Sequence, residues 1–259
     1  MIRKVLSFDP KDHDKDQARE IKKLATRAGI QAESCQSDEV KALARTLTSN
    51  DFAERSAPQP DGLPTAALTE KHLYSVLKSG LLNELRVSEA ESDKSHRAIR
   101  AACSSRAFYM TENRVPGIGP LAAKKGDHVT VLLGCEVPII LRPTTNGGYK
   151  VVGEAYCDGF MDGEALLGPL PDFFKAVFRS NSKNEWRWSY LNQKTGVFQA
   201  EDPRLGPLPA EWSVKSHEDD ELIQLFLNDE TGNETWHDPR LTSEALRKRG
   251  VPLQVFDLV

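Results

Sequence analysis

The residues in this sequence best suited to binding a metal are three closely spaced carboxylates, Asp158, Asp162 and Glu164, which alternate with glycines. Carboxylate oxygens on a short loop are the ligands that Ca²⁺ prefers. Their spacing does not match an EF-hand loop, which also requires a distant bidentate glutamate. We therefore predict no metal site.

Acid–base chemistry has one further candidate in the adjacent pair Asp127 and His128. Nucleophilic catalysis requires a nucleophile placed beside its base, and no nucleophile motif accompanies this pair. A turn that leads into a strand explains the two residues better. We expect no catalytic residue and no cofactor, and we predict that the protein is not an enzyme.

The cysteines and glycines also lack the spacings of known sites. No CxxC pair is present, which argues against a zinc ribbon or a dithiol redox site; the cysteines are Cys35, Cys103, Cys135 and Cys157. The segment Gly117-Ile118-Gly119-Pro120 has no third glycine and no following helix, so it is predicted to be a turn and not a dinucleotide-binding loop.

The charge balance excludes further classes of function. The chain has 259 residues with 34 Lys and Arg against 38 Asp and Glu, a formal net charge of -4. A dedicated nucleic-acid surface needs a basic excess to displace counterions from phosphate. No apolar run has the length of a membrane span, and the N-terminal one is too short for a signal-peptide core. We expect a cytoplasmic protein that binds neither nucleic acid nor membrane.

The last third of the chain contains an internal repeat. Gly-Pro-Leu-Pro at 168–171 recurs at 206–209, and Asp-Pro-Arg-Leu at 202–205 recurs at 238–241. Asn192 of a turn segment likewise recurs as Asn228. A repeat of this length predicts one supersecondary unit used twice.

The second copy resembles the WW family of peptide-binding modules. The residues that carry the resemblance, in chain order, are Leu208, Pro209, Trp212, Phe226, Asn228, Thr231, Trp236 and Pro239. This implies a three-stranded sheet in which Trp212 stacks with Phe226 and Pro239, while Asn228 closes a turn through local backbone. A sheet this small cannot bury an ordinary core, so a few clamped rings must hold it.

The resemblance also implies a groove for proline-rich peptide on the opposite face. Two aromatic residues normally form it around a polyproline helix. Here Trp236 is present but Leu225 takes the strand-two position, which removes a ring and a hydroxyl donor. We expect weak peptide binding at most. The acidic loop at 217–221 argues against recognition of phosphorylated peptide.

The first copy departs further from the pattern. Its positions for a clamp are filled by Phe174, Tyr190, Asn192 and Pro203. Its groove positions hold Ser189 and Ala200, so this copy is predicted to fold without binding peptide. The alternating rings of Trp186, Trp188 and Tyr190 are predicted to be buried against a neighbouring segment.

The preceding elements predict an α+β fold. Helical patterns cover 16–30, a stretch after Ser37, a stretch after Thr65, and 88–103. Short β-branched runs lie at 129–133, 137–141 and 149–155, and 106–110 is a further strand candidate. The predicted parts are a helical region at 1–105, a β-rich domain at 106–167, the degenerate WW-like repeat at 168–205, the WW domain at 206–241, and a helix with a strand-forming tail at 242–259.

The β-rich part resembles the C-terminal region of fungal heterokaryon incompatibility (HET) proteins. The resemblance rests on an ordered series of segments at 106–111, 117–120, 125–127, 134–138, 141–142 and 149–156. The family acts in non-self recognition and cell death. Its N-terminal HET motif is not found, so the death-inducing activity is not carried over; we expect a C-terminal piece or a shortened paralogue.

The leading hypothesis is a non-catalytic interaction or regulatory protein. Its expected partners are proline-rich segments or a full-length HET relative. Two alternatives stay open: WW-like units that serve only as structure within the chain, or an uncharacterised enzyme in the β domain at 106–167.

Overall fold

A computed structural model of the chain describes residues 1–8, 14–78, 88–180, 184–217 and 220–259. Within these ranges helices and small, mainly antiparallel sheets alternate, which confirms the α+β class. Part of the predicted acidic loop, residues 218–219, lies outside the described residues. None of the helices described there is long and apolar enough to cross a membrane.

Six helices are described in these ranges. They are α1 (Asp14–Ala28), α2 (Asp38–Leu47), α3 (Ala66–Lys78), α4 (Glu89–Cys103), α5 (Glu164–Leu167) and α6 (Ser243–Lys248). The four predicted N-terminal helices are present, with bounds close to those expected. Ser88 explains one of these bounds, because its side chain accepts from the Glu91 backbone and Glu91 reciprocates in a capping box.

The strands described in the same ranges are short. They are β1 (Ile2–Ser7), β2 (Ser56–Ala57), β3 (Arg106–Thr111), β4 (Pro116–Pro120), β5 (His128–Thr130), β6 (Ile139–Pro143), β7 (Tyr149–Glu154), β8 (Tyr156–Cys157), β9 (Phe174–Ser180), β10 (Trp186–Asn192), β11 (Val197–Gln199), β12 (Trp212–His217), β13 (Asp220–Asn228) and β14 (Glu234–Thr235).

The chain divides into two compact units. The first comprises residues 1–54, 60–161 and 256–259, and the second comprises 55–59 and 162–255. The first unit holds a sheet of order β1-β3-β4-β8 and a sheet of order β5-β6-β7. The second holds a sheet of order β11-β10-β9-β2 and a sheet of order β12-β13-β14.

The first unit contains a strand that the sequence patterns missed. β1 pairs antiparallel with β3, although residues 1–105 were expected to be helical. Ile2 and Leu6 of this strand are each 1% exposed. A run of six residues is too short for its periodicity to be separated from a helical pattern.

The predicted turn at Gly117-Ile118-Gly119-Pro120 is wrong, because these residues form β4 in the interior of a sheet. A Cβ on Gly117 would lie 2.2 Å from the Tyr109 ring, and one on Gly119 would lie 2.6 Å from Ile140. The glycines are therefore needed for close packing. Tyr109 is fully buried in the space they leave, and its hydroxyl donates to the Tyr156 carbonyl at 2.8 Å.

The helices of the first unit pack on one face of its four-stranded sheet. One apolar cluster joins residues from α1 to α4 with Phe108 and Ile118 of the strands. Leu73 and Ile99 in this cluster are 0% exposed. Fully burying such a side chain contributes about 1.5–3 kcal/mol, which makes this cluster a main source of the unit's stability.

The last residues of the chain pair with the edge of β7, as predicted for the tail. Leu258 forms a parallel bridge with Tyr149. The Tyr149 backbone N–H donates to the Asp257 carbonyl at 2.8 Å, and Val259 donates back to the Tyr149 carbonyl at 3.0 Å. Phe256 packs edge-on against the Tyr149 ring.

Candidate functional site

The three aspartates considered for catalysis or metal binding each contact a different arginine, whereas Glu164 accepts from the Asp162 backbone N–H at 2.7 Å. Asp127 is 2% exposed and binds Arg142 through both of its oxygens. Burial alone would raise the pKa of Asp127, but the hydrogen bonds from Arg142 and from the Lys124 backbone hold it below its usual value. The neighbouring His128 ring lies 5.7 Å from the Tyr149 ring.

The other two aspartates are held in the same way. Within the first unit, Asp158 accepts from Arg45 Nε at 2.7 Å and from Nη2 at 2.8 Å. Within the second unit, Asp162 accepts from Arg55 at 2.7 and 2.9 Å. The described ranges contain no group of three or more His, Cys, Asp or Glu side chains that could hold a metal ion. These carboxylates therefore act as anchors between chain segments.

The repeated segments of the second unit adopt the same local structure twice. Asn192 Oδ1 accepts from the backbone N–H groups of Lys194 and Thr195, at 3.0 and 3.3 Å. Asn228 Oδ1 accepts from Thr231 in the same way, at 2.9 Å. Asparagine favours such turns because its short side chain bonds backbone two or three residues further on.

A second shared feature is an arginine–aspartate pair at the end of each copy. Arg204 binds both oxygens of Asp202, at 2.9 and 2.6 Å, and donates from Nη1 to the Gly168 carbonyl at 2.6 Å. This contact joins the end of the copy to its beginning. We call the pair and its glycine carbonyl the first closing contact.

Arg240 forms the second closing contact with the equivalent residues of the second copy. It binds both oxygens of Asp238, at 2.9 and 2.6 Å, and donates to the Gly206 carbonyl at 2.7 Å. The side chains of Arg204 and Arg240 are each 5% exposed. The sequence analysis found the repeated Asp-Pro-Arg-Leu but assigned the arginine no role. The recurrence of an aspartate and an arginine at the same spacing in both copies could have indicated this ion pair.

The first copy adds one hydrogen bond to its closing contact. The Tyr190 hydroxyl donates to Asp202 Oδ2 at 2.8 Å. Burial alone would raise the pKa of Asp202, but the bonds from Arg204 and Tyr190 hold it below its usual value. The corresponding residue of the second copy is Phe226, which carries no hydroxyl.

The predicted clamp residues occupy matching places in the two sheets. Because side chains alternate along a strand, the register places Trp212 and Phe226 on one face of the second sheet. Phe226 is 2% exposed, Trp212 is half-buried and Pro239 is buried. In the first copy Phe174 and Tyr190 share the equivalent face, and both are half-buried, as is Pro203.

The opposite face of the second sheet carries the two predicted groove residues. Lys215 pairs with Leu225, and the β13–β14 register continued by one residue places Trp236 opposite Leu225. We call Lys215, Leu225 and Trp236 the open row. Trp236 is 61% exposed and Leu225 is half-buried.

The equivalent row of the first copy has small side chains, two of which are buried. It consists of Val177, Ser189 and Ala200, placed by the same register rule. Val177 is 2% exposed and Ser189 is 0% exposed, and the Ser189 hydroxyl donates to the Val177 carbonyl at 3.3 Å. We call these residues the closed row.

The predicted burial of the alternating tryptophans is wrong for one of them. Trp188 is 55% exposed, and Trp186 is half-buried. Both rings contact Phe178, at centroid distances of 5.2 and 5.4 Å. The Arg55 guanidinium lies 5.1 Å from the Trp188 ring and is itself fixed by Asp162. Aromatic and cationic side chains thus cover only part of the ring.

Comparison with known proteins assigns the middle of the chain to a family. Residues 33–174 match the model of a family described as the Het-6 beta-barrel domain. The match ends at residue 174, close to the start of the first repeat copy at 168–205, so it covers neither repeat copy in full.

A curated relative agrees with this match. Over 70 residues, 26% of this chain, the sequence is 48% identical to heterokaryon incompatibility protein 6, OR allele, of Neurospora crassa. The chain spans about a tenth of that relative's length, since the alignment covers 10% of it. The relation to heterokaryon incompatibility proteins expected from the strand segments is thereby confirmed, and the chain belongs to the Het-6 beta-barrel domain family.

Proposed function

We propose that the chain is a non-catalytic interaction protein and that the open row of the second repeat copy binds proline-rich peptide weakly. The observation that carries the proposal is the exposure of Trp236, at 61%, beside Leu225 on one face of a small sheet. A flat exposed ring next to an aliphatic side chain is a surface on which a polyproline helix can pack.

The clamp residues support the WW-like interpretation of this copy. Trp212 and Phe226 share the face opposite the open row, and Asn228 accepts three hydrogen bonds in the turn that follows β13. A sheet stabilised from its other face can leave the open row free for a ligand. Leu225 supplies neither a ring nor a hydroxyl group, which is why the proposed binding is weak.

The ion pairs support a non-catalytic role. A general base must reach the proton that it abstracts, and its acidity must suit that transfer. Asp127, Asp158 and Asp162 each accept two hydrogen bonds from a separate arginine. Such bonds occupy both oxygens of each carboxylate and leave it poorly placed to accept a proton from a substrate.

A titration of the full chain with proline-rich peptides tests the proposal. Isothermal titration calorimetry should show saturable heat with the unaltered protein and none with Trp236→Ala. Trp188→Ala is the matched control, because it removes an exposed tryptophan that does not belong to the open row.

The control should bind as the unaltered protein does. Equal binding by Trp236→Ala would show that another surface takes the peptide. No binding to any proline-rich peptide would leave the second copy as a structural unit. Co-purification with a full-length heterokaryon incompatibility protein, tested with the same two variants, then measures whether the open row contacts that partner instead.

A further inference from the structure

Two histidines face one another inside the helical part of the first unit. His72 of α3 is 2% exposed and His96 of α4 is 9% exposed. Their ring centroids are 4.4 Å apart with the planes at 76°, an edge-to-face contact. Histidine is the side chain whose ordinary pKa lies within the physiological range, so a buried pair couples packing to protonation.

One hydroxyl group lies between the two rings. Ser92 Oγ is 3.3 Å from His72 Nδ1 and 3.4 Å from His96 Nδ1. The hydroxyl can donate to one Nδ1 and accept from the other, which satisfies both Nδ1 atoms when the rings are neutral. His72 Nε2 is buried and has no hydrogen-bond partner among the described residues. A proton that makes this ring a cation would therefore add charge where no acceptor lies.

Polar but uncharged side chains of the described residues lie near the pair. Gln17 of α1 is 1% exposed and donates from Nε2 to the His96 carbonyl at 3.2 Å. Thr69 of α3 and Ser95 of α4 are hydrogen-bonded to each other at 3.2 Å within the same helix pair.

Several charged groups on the neighbouring helices have partners of their own. On α1, Glu20 binds Lys23 at 2.7 Å. On α2, Lys41 and Arg45 act on Glu70 of α3, whose pKa burial raises and these two cations lower. Burial first, and the neighbouring His96 second, lower the pKa of His72 to about 3. Among the described residues, no carboxylate offsets that effect.

We infer that the His72–His96 pair is a pH-sensitive lock between α3 and α4, closed while both rings are neutral and weakened by acidification. Opening this helix pair would expose the apolar side of α4, where Ile99 is 0% exposed. The lock is independent of the open row, which belongs to the other unit.

The direction of the pH dependence follows from linkage. The ordinary histidine value is 6.5 and the folded value lies below it. The unfolded state therefore binds the proton more tightly, and the contribution to stability is complete above pH 6.5 and declines as the pH falls toward the folded value. At pH 5 the opening equilibrium should be about 30-fold larger than at neutral pH, from one such group.

Hydrogen exchange of the full chain, measured by mass spectrometry at pH 7.5 and pH 5 and corrected for intrinsic rates, tests this inference. Peptides from α3 and α4 should exchange about 30-fold faster at the lower pH. His72→Gln keeps a polar side chain that does not titrate, and should remove most of that increase. His237→Gln, at an exposed histidine of the other unit, should retain it.

A second variant keeps the test decisive if His72→Gln does not fold. His96→Gln removes the other ring and should reduce the acid response in the same peptides. An equal response in the unaltered protein and in the folded His72 or His96 variant would overturn the inference. So would protection of α3 and α4 that does not change between the two pH values.

Discussion

The two repeat copies of the second unit share their turns and closing contacts but differ in the row on one sheet face. Arg204 and Arg240 each bind an aspartate at the end of their own copy and a glycine carbonyl at its start. The closed row contains Ser189 at 0% exposure, whereas the open row contains Trp236 at 61%. The turn residues and closing contacts are therefore common to both copies, whereas the side chains of the row differ between them.

This difference separates residues that build a small sheet from residues that can bind a partner. A surface row tolerates substitution because few neighbours contact it, whereas a buried ion pair has no substitute for its charge. We propose that one copy retained an accessible surface and that the other serves only as structure. Each prediction below compares a change in one copy with the equivalent position of the other, and Arg240 also contacts Glu201 of the first copy.

The largest expected effect comes from breaking a closing contact. Arg240→Met or Arg204→Met leaves an aspartate buried without its cation, and each should lower the free energy of unfolding by about 3–5 kcal/mol. Urea denaturation of the full chain measures it. Lys215→Met is the control, because the Lys215–Glu234 pair is exposed and should contribute less than about 1 kcal/mol. Losses of stability as small as that of the control would show that the closing contacts do not stabilise the copies.

Adding a ring to each row should have opposite consequences in the two copies. Ser189→Tyr forces a large side chain into a fully buried position and should destabilise the chain by about 1–3 kcal/mol. Leu225→Tyr restores a ring and a hydroxyl group beside Trp236, and it should strengthen peptide binding with little loss of stability. Thermal denaturation and peptide titration of both variants measure this contrast. Similar stability losses at the two positions would contradict the distinction between a closed row and an open row.

Removing the Tyr190 hydroxyl should have a smaller effect that is confined to the first copy. Tyr190→Phe deletes the hydrogen bond to Asp202 and should cost about 0.5–1.5 kcal/mol, because Arg204 continues to bind that carboxylate. The variant makes this position like Phe226 of the second copy. Equilibrium unfolding in urea provides the value, and a loss well above this range would mean that the hydroxyl supports more than the closing contact.

The smallest expected change in stability is that of Trp236→Ala. An exposed side chain outside a packed cluster should alter the free energy of unfolding by no more than about 0.5 kcal/mol. The same variant should lose peptide binding, so the two measurements separate a ligand contact from a structural one. A large loss of stability would show instead that Trp236 supports the sheet.

The sequence predicted those parts of the fold that depend on local pattern. The helix at 88–103 was predicted from the spacing of its apolar residues, and the repeat was recognised from recurring turn and Asp-Pro-Arg-Leu segments. β1 was missed because its pairing with β3 joins residues about 100 positions apart, which no local periodicity reports. The glycines of β4 were assigned to a turn because their purpose, space for Tyr109 and Ile140, appears only in three dimensions.

The sequence singled out Leu225 and Trp236, which share one face of the sheet, but it did not indicate how exposed that face is. The resemblance to WW modules singled out Leu225 and Trp236 and distinguished them from Ser189 and Ala200. It could not show whether either face would be covered. For Trp188 the alternation along β10 suggested burial, yet Phe178 and Arg55 cover only part of its ring.

Nuclear magnetic resonance of the tryptophan indole N–H groups, during titration of the full chain with a proline-rich peptide, tests the central claim most directly. The chain has four tryptophans, and single Trp→Phe variants assign each signal. The account predicts that the Trp236 signal shifts progressively and saturably, while those of Trp186 and Trp188 in the first copy stay in place. The account would be contradicted if the Trp236 signal stayed in place while that of Trp186 or Trp188 shifted. It would also be contradicted if no tryptophan signal shifted.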